Sequence, residues 1–284
     1  MLRSSILSVL LFCSVAWGNT VSAQVADSSY VIGHRFTVAS ALLKENRKYW
    51  VRLPKGYNDT EKYPVIYVLD GEMYFPIVCA EQGFLDGNSR LSDKKCIVVG
   101  IENTDRTRDL TPTPAVSAKG QATLENSGKG EAFFQFIRTE LIPSIEKQYH
   151  TANRRILVGH SFGGLAATYC ALRHPDCFTD YLIIEPALWW DDGKLLKQAK
   201  NDLSQNQYPH NCHVFLGFAR TKEATDTQSL DHVLSIAQPK NIALKSQYYP
   251  DESHGTVYVH ALYDGLRYIL DIPIPKKGHG GGRE

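Results

Sequence analysis

Short apolar runs rich in β-branched side chains recur along this chain, separated by longer stretches of helical period. Tyr49-Trp50-Val51-Arg52-Leu53 alternates as a half-buried strand does. Pro64 to Leu69 and Cys96 to Ile101 are continuous apolar runs, the pattern of strands covered on both faces. Ile156-Leu157-Val158, Tyr181 to Ile184 and His213 to Leu216 repeat it, and Ser246 to Tyr249 is the last. Between them, Glu131 to Tyr149 places Phe133, Phe136, Ile137, Leu141 and Ile145 near a 3.6-residue period; Leu165 to Arg173 and Val257 to Ile269 behave likewise. This alternation predicts an α/β fold, a mostly parallel central sheet with helices on both faces. No linker interrupts Val25 to Pro273, so one domain is expected over residues 24–275. Such sheets hold their ligands beyond the carboxyl ends of the strands.

The ends of the sequence read differently. Arg3, the apolar run Ile6 to Trp17 and the small residues Val21-Ser22-Ala23 have the order of a signal peptide cleaved before Gln24. The apolar run is short for a bilayer span. A periplasmic or secreted protein with no stable membrane span is therefore expected, followed at residues 276–284 by a flexible glycine-rich tail. The 284-residue chain carries 31 Lys plus Arg against 30 Asp plus Glu. That balance calls for neither nucleic acid nor an anionic surface as partner. Five cysteines follow the expected cleavage site, without metal-site spacing. Cys96 and Cys212 open apolar runs and read as small buried hydrophobes.

The chemistry begins after Ile156-Leu157-Val158, at Gly159-His160-Ser161-Phe162-Gly163-Gly164. This is G-x-S-x-G between a strand and a helix, the context in which the motif presents a strained, exposed serine. Gly164, Ala166 and Ala167 allow the helix to pack closely on the sheet. The N–H of Phe162 is placed to donate to an oxyanion. Ser161 is the expected nucleophile. Its base is expected beyond the last strand, where His254 lies in the polar loop Pro250-Asp251-Glu252-Ser253-His254-Gly255. His260, inside the following helix, reads as structural. The acid stays open: Asp226 is preferred because it follows the penultimate strand, then Glu223, then Glu185 after the strand before.

These residues resemble the Putative esterase (esterase D-like) family of α/β-hydrolases, and look closest to its siderophore-trilactone-esterase branch. The resemblance runs through Tyr67 to Gly71, Val99 to Asp109, Gly159 to Gly164, Leu188 to Asp191, Tyr249 to His254 and Ala261 to Arg267. It implies a serine esterase working through an acyl-enzyme on a small-molecule or glycan-linked ester, with no metal or organic cofactor. It implies a second oxyanion N–H near Gly71 or Glu72. Arg106 and Arg108, after a strand end, are candidates to grip a carboxylate or catecholate; Arg108 and Asp109 are equally candidates for a loop-stiffening pair. Trp189 and Trp190 are candidates for an aromatic or acyl wall, with one of the two expected in the core. Family members often carry a small polar residue in place of Glu185, so a carboxylate there is either a substitute acid or a specificity element. Some members resemble a Ser–His dyad. A serine peptidase of the same fold and an inactive binding protein are the competing readings; the first wants a propeller or cap domain and an acidic pair for a free amine, and the chain is too short for a propeller, while intact Ser161 and His254 argue against the second.

Overall fold

A computed structural model describes residues 30–87, 94–115, 126–205, 208–209, 211–221, 224–237 and 241–273. The expected signal peptide, the glycine-rich tail and Glu223 lie outside them. Ile32–Glu284 is one compact unit, and of the separate unit Met1–Val31 only Tyr30 and Val31 are described.

Eight strands form one sheet: β1 (His34–Ser40), β2 (Glu45–Arg52), β3 (Tyr63–Val68), β4 (Ile97–Ile101), β5 (Thr151–His160), β6 (Asp180–Ile184), β7 (Cys212–Ala219) and β8 (Ile242–Tyr249), in the order β1-β2-β4-β3-β5-β6-β7-β8. The β1–β2 and β2–β4 pairs are antiparallel and all the others parallel. Each apolar run of the sequence lies on a strand. Strand β1 carried no such signal, because its residues His34 to Ala39 are exposed or half-buried at the sheet edge.

The period of two along each strand divides the core. Val65, Tyr67 and Leu157 face one layer, whereas Ile66, Val68, Ile156 and Val158 face the other. The second layer is closed by helices α1 (Gly71–Gly87) and α8 (Val257–Ile269). The first is closed by α3 (Gly130–Phe136), α4 (Ile142–Gln148), α5 (Phe162–Arg173), α6 (Trp190–Gln205) and α7 (Ala224–Ala237). A π-helical turn, Ile137–Leu141, joins α3 to α4, so the periodic stretch Glu131 to Tyr149 is one continuous helical segment. A short helix α2 (Arg106–Leu110) follows β4 and is capped by Asp105, whose carboxylate accepts from Arg108 N at 3.0 Å. The five described cysteines are buried free thiols. Among the described residues no helix is long and apolar enough to cross a membrane.

This order sets the chemistry. Strands β3, β5 and β6 are consecutive neighbours, so Gly71, Ser161 and Glu185, each just beyond a carboxyl end, share one edge of the sheet. The loop after β8 arrives at the same edge with His254.

Candidate active site

Ser161 stands between β5 and α5 with φ 58° and ψ −116°, a backbone that L residues adopt only under constraint. The constraint is visible. Ser161 N donates to Ile184 O at 3.1 Å, and Ser161 O accepts from Leu165 N at 2.9 Å and Ala187 N at 3.1 Å. Gly159 is required by the turn itself, since a Cβ there would lie 2.1 Å from Gly163 O. The serine is thus tied to the segment after β6, where Glu185 also has a positive φ of 42°. Ser161 is bonded on either side of Glu185, to Ile184 and Ala187, while Glu185 N donates to Gly217 O at 2.9 Å.

Glu185 is fully buried and fully engaged. Its Oε1 accepts from Ala219 N at 2.6 Å, and its Oε2 from the Thr221 hydroxyl at 2.8 Å. The same Oε2 lies 3.2 Å from His254 Nδ1. Burial alone would raise its pKa, but the hydrogen bonds from His254, Ala219 N and Thr221 outweigh that and hold the carboxyl below its ordinary value. An ionised Glu185 fixes the proton of His254 on Nδ1 and leaves Nε2 as the basic nitrogen. The carboxylate hydrogen-bonded to His254 Nδ1 is that of Glu185. Helix α7 begins at Ala224, which puts Asp226 in its first turn, where a carboxylate favours the helix dipole.

The N–H groups of Gly71 and Phe162 open α1 and α5, where no preceding turn supplies an acceptor. Gly71 is also a packing requirement: a Cβ there would come within 2.5 Å of Gly100 C and Ile101 N. Asp70, just before it, has φ 53° and is clasped by Arg106, with Nε on Oδ1 at 2.6 Å and an Nη on Oδ2 at 2.9 Å. Asn103 Nδ2 adds a bond to Asp70 at 2.6 Å.

The substrate-side candidates separate. The Arg106 guanidinium lies 5.1 Å from the ring centroid of Phe162, the residue after Ser161, and its Nη1 has no protein partner among the described residues. Trp189 is half exposed and 6.0 Å from Phe162, whereas Trp190 is core, its Nε1 donating to Thr113 O at 2.8 Å. A cationic and aromatic surface Arg106–Phe162–Trp189 thus borders Ser161. Arg108 is not part of it. Its guanidinium is spent on Glu45, at 2.6 and 3.0 Å, and on Asp109, at 2.7 Å, where buried Arg47 also binds. The stiffening alternative for Arg108 is the one that the geometry supports. His260 sits on α8 and pairs with Glu252 at 3.0 Å, away from Glu185.

Sequence reasoning gave His160 no part, yet it is buried against His254. Its Nε2 lies 2.7 Å from His254 O, its Nδ1 2.8 Å from Tyr74 OH, and its ring 4.6 Å from that of His254. Its position before the serine was the only available signal.

A serine in a strand-to-helix elbow and a histidine oriented by a carboxylate, at the carboxyl edge of a parallel sheet, define an α/β-hydrolase of the serine type. The chain belongs to the Putative esterase family, whose profile matches residues 40–263. It is 26% identical to the ferri-bacillibactin esterase BesA of Bacillus subtilis, over 80% of this chain and 86% of that protein. It is 25% identical to a siderophore enterobactin esterase of Emericella nidulans, over 73% and 82% of the two chains. Among solved structures it resembles an IroE-like serine hydrolase of Shewanella oneidensis, with 33% identity, TM-score 0.79, and coverage of 84% and 80%. The chain is a serine hydrolase that cleaves carboxylic esters.

Proposed function

We propose that this enzyme hydrolyses the ester bonds of a siderophore-type polyester, with Ser161 as nucleophile, His254 as general base and Glu185 as orienting acid. The observation that carries the residue roles is the 3.2 Å contact of Glu185 Oε2 with His254 Nδ1 on the segment bonded to the strained Ser161. His254 Nε2 removes the Ser161 proton, Oγ adds to the ester carbonyl, and the N–H groups of Phe162 and Gly71 hold the oxyanion. Glu185 stabilises the imidazolium, which then protonates the departing alkoxide. Water, activated in turn by His254, releases the acid from the acyl-enzyme.

The substrate class rests on the names borne by the relatives and on the surface Arg106–Phe162–Trp189, whose cation and rings suit a flat, hydroxylated anionic aromatic group. The signal-like order of residues 1–23 supports action in the periplasm or outside the cell. The test is a panel of ferric and iron-free trilactone siderophores, acetylated polysaccharides and small acyl thioesters, given to the purified mature protein. Trilactone turnover well above the others, abolished by Ser161→Ala, is the expected result. A preference for acylated polysaccharide would overturn the substrate class, and a Ser161→Ala protein as active as wild type would overturn the mechanism.

A further inference from the structure

The loop Asp251–Thr256 carries His254, yet little holds it. Its own bonds are short-range: Ser253 N to Thr256 Oγ1 at 2.9 Å, Val257 N to Ser253 O at 3.0 Å and Glu252 N to Tyr249 O at 3.2 Å. Asp251, Ser253, Gly255 and Thr256 are exposed. Among the described residues, two hydrogen bonds tie this loop to the protein outside residues 249–260, and both pass through His254. One is the side-chain bond to Glu185. The other is the main-chain carbonyl of His254 meeting His160 Nε2 at 2.7 Å.

A carbonyl only accepts, so His160 carries its proton on Nε2. The neutral ring then accepts at Nδ1, and the partner there is Tyr74 OH at 2.8 Å. Burial, with the His254 ring nearby, lowers the His160 pKa to about 4 and keeps the ring neutral where an esterase works. Tyr74 is fixed in turn by stacking on Tyr258 of α8 at 3.9 Å, and both tyrosines meet His160 edge-on at 5.7 Å. Strand β5, helix α1 and the base-bearing loop therefore meet at one imidazole. Both its nitrogens are satisfied, as a buried ring requires.

We propose that His160 is a positioning residue, a strut from Tyr74 to the His254 main chain that sets the height of the base above Ser161 while Glu185 sets its rotation. This deepens the assignment of Ser161, His254 and Glu185 above and rests on it. Displacing a catalytic group by about 1 Å costs up to roughly 10²-fold in rate, so the loss belongs in kcat and not in KM.

The test compares His160→Phe, which keeps a ring without a donor, His160→Gln, whose Nε2 can still reach the carbonyl, and Tyr74→Phe, which frees the far end of the strut. Steady-state kinetics on p-nitrophenyl acetate and hydrogen exchange of the peptide spanning residues 250–256 are measured beside Tm. His160→Phe is expected to lower kcat by roughly 10- to 100-fold at little-changed KM, with faster exchange confined to that peptide. His160→Gln restores most of the rate, and Tyr74→Phe lies between. If His160→Phe does not fold, His160→Gln and Tyr74→Phe carry the comparison by the same readouts. Wild-type kcat in His160→Phe, or in Tyr74→Phe where that variant carries the test, overturns the proposal. So does equal loss in His160→Phe and His160→Gln in step with Tm, which is the mark of a packing role. A fluorophosphonate probe that labels wild type but not Ser161→Ala upholds the nucleophile independently, so the strut can fail without it.

Discussion

Glu185 Oε2 and His254 Nδ1 face each other at 3.2 Å, across β7, with Glu185 sealed from solvent and His254 half exposed. The carboxylate is held by three donors in all, so the imidazole does not determine where it sits; it determines where the imidazole sits. Glu185→Gln keeps the shape but offers an amide whose N–H₂ side favours the wrong tautomer of His254. It is expected to lower kcat by roughly 10²-fold or more. Asp226→Asn, on the first turn of α7, is expected to stay within about 2-fold of wild type, as a surface-type change does. Ester turnover by the two variants checks the assignment, and a crippled Asp226→Asn beside an active Glu185→Gln would reverse it.

That pairing also shows where sequence reading stops. Ser161 and His254 are marked locally, one by glycines that a strand-to-helix elbow requires, the other by the polar loop after the last strand. The proposed acid, Glu185, is marked by sheet register, since Ile184 pairs with Gly217 and brings it beside Ala219 and Thr221 of the next strand and loop. Chain order favoured Asp226 because it follows the penultimate strand, but helix α7 starts at Ala224, two residues before it. The buried parallel strands were legible as unbroken apolar runs. Helix α1 was not, because Pro76 and Gly83 interrupt its pattern with residues that disfavour helix interiors. Gly71 is there for close approach to β4, a demand of tertiary packing that no local signal carries.

Arg106 and Arg108 lie two residues apart and do different work. Arg106→Lys keeps a cation beside Asp70 but loses the fork and the spare Nη1 over Phe162. It is expected to raise KM for a catecholate or carboxylate ester by roughly 10-fold, the worth of one charge-assisted bond, with little change for p-nitrophenyl acetate. Arg108→Ala is expected to lower Tm, because Glu45 and Asp109 lose one of their two arginine partners and are left to Arg47, while KM stays within about 2-fold. A KM effect from Arg108 rather than Arg106 would move the substrate surface to the other face of α2.

Both carboxyl oxygens of Glu81, on α1, are buried without a hydrogen-bond partner in the described structure. Burial, helped by Asp264, pushes its pKa up from 4.5 to about 8. The folded protein therefore binds a proton that the unfolded chain releases near pH 4.5, and the unfolded state binds fewer protons throughout that window. Stability from this group is then complete below about pH 4.5 and declines as pH rises to about 8. Glu81→Gln removes the titration without removing the polar group. Wild type and variant are expected to melt together near about pH 5, and the variant about 2 °C or more higher near about pH 9. Thermal unfolding followed by circular dichroism across that range decides it: two curves that stay parallel from acid to base would mean that Glu81 keeps an ordinary carboxylate's affinity for its proton, and that water reaches it between α1 and α8.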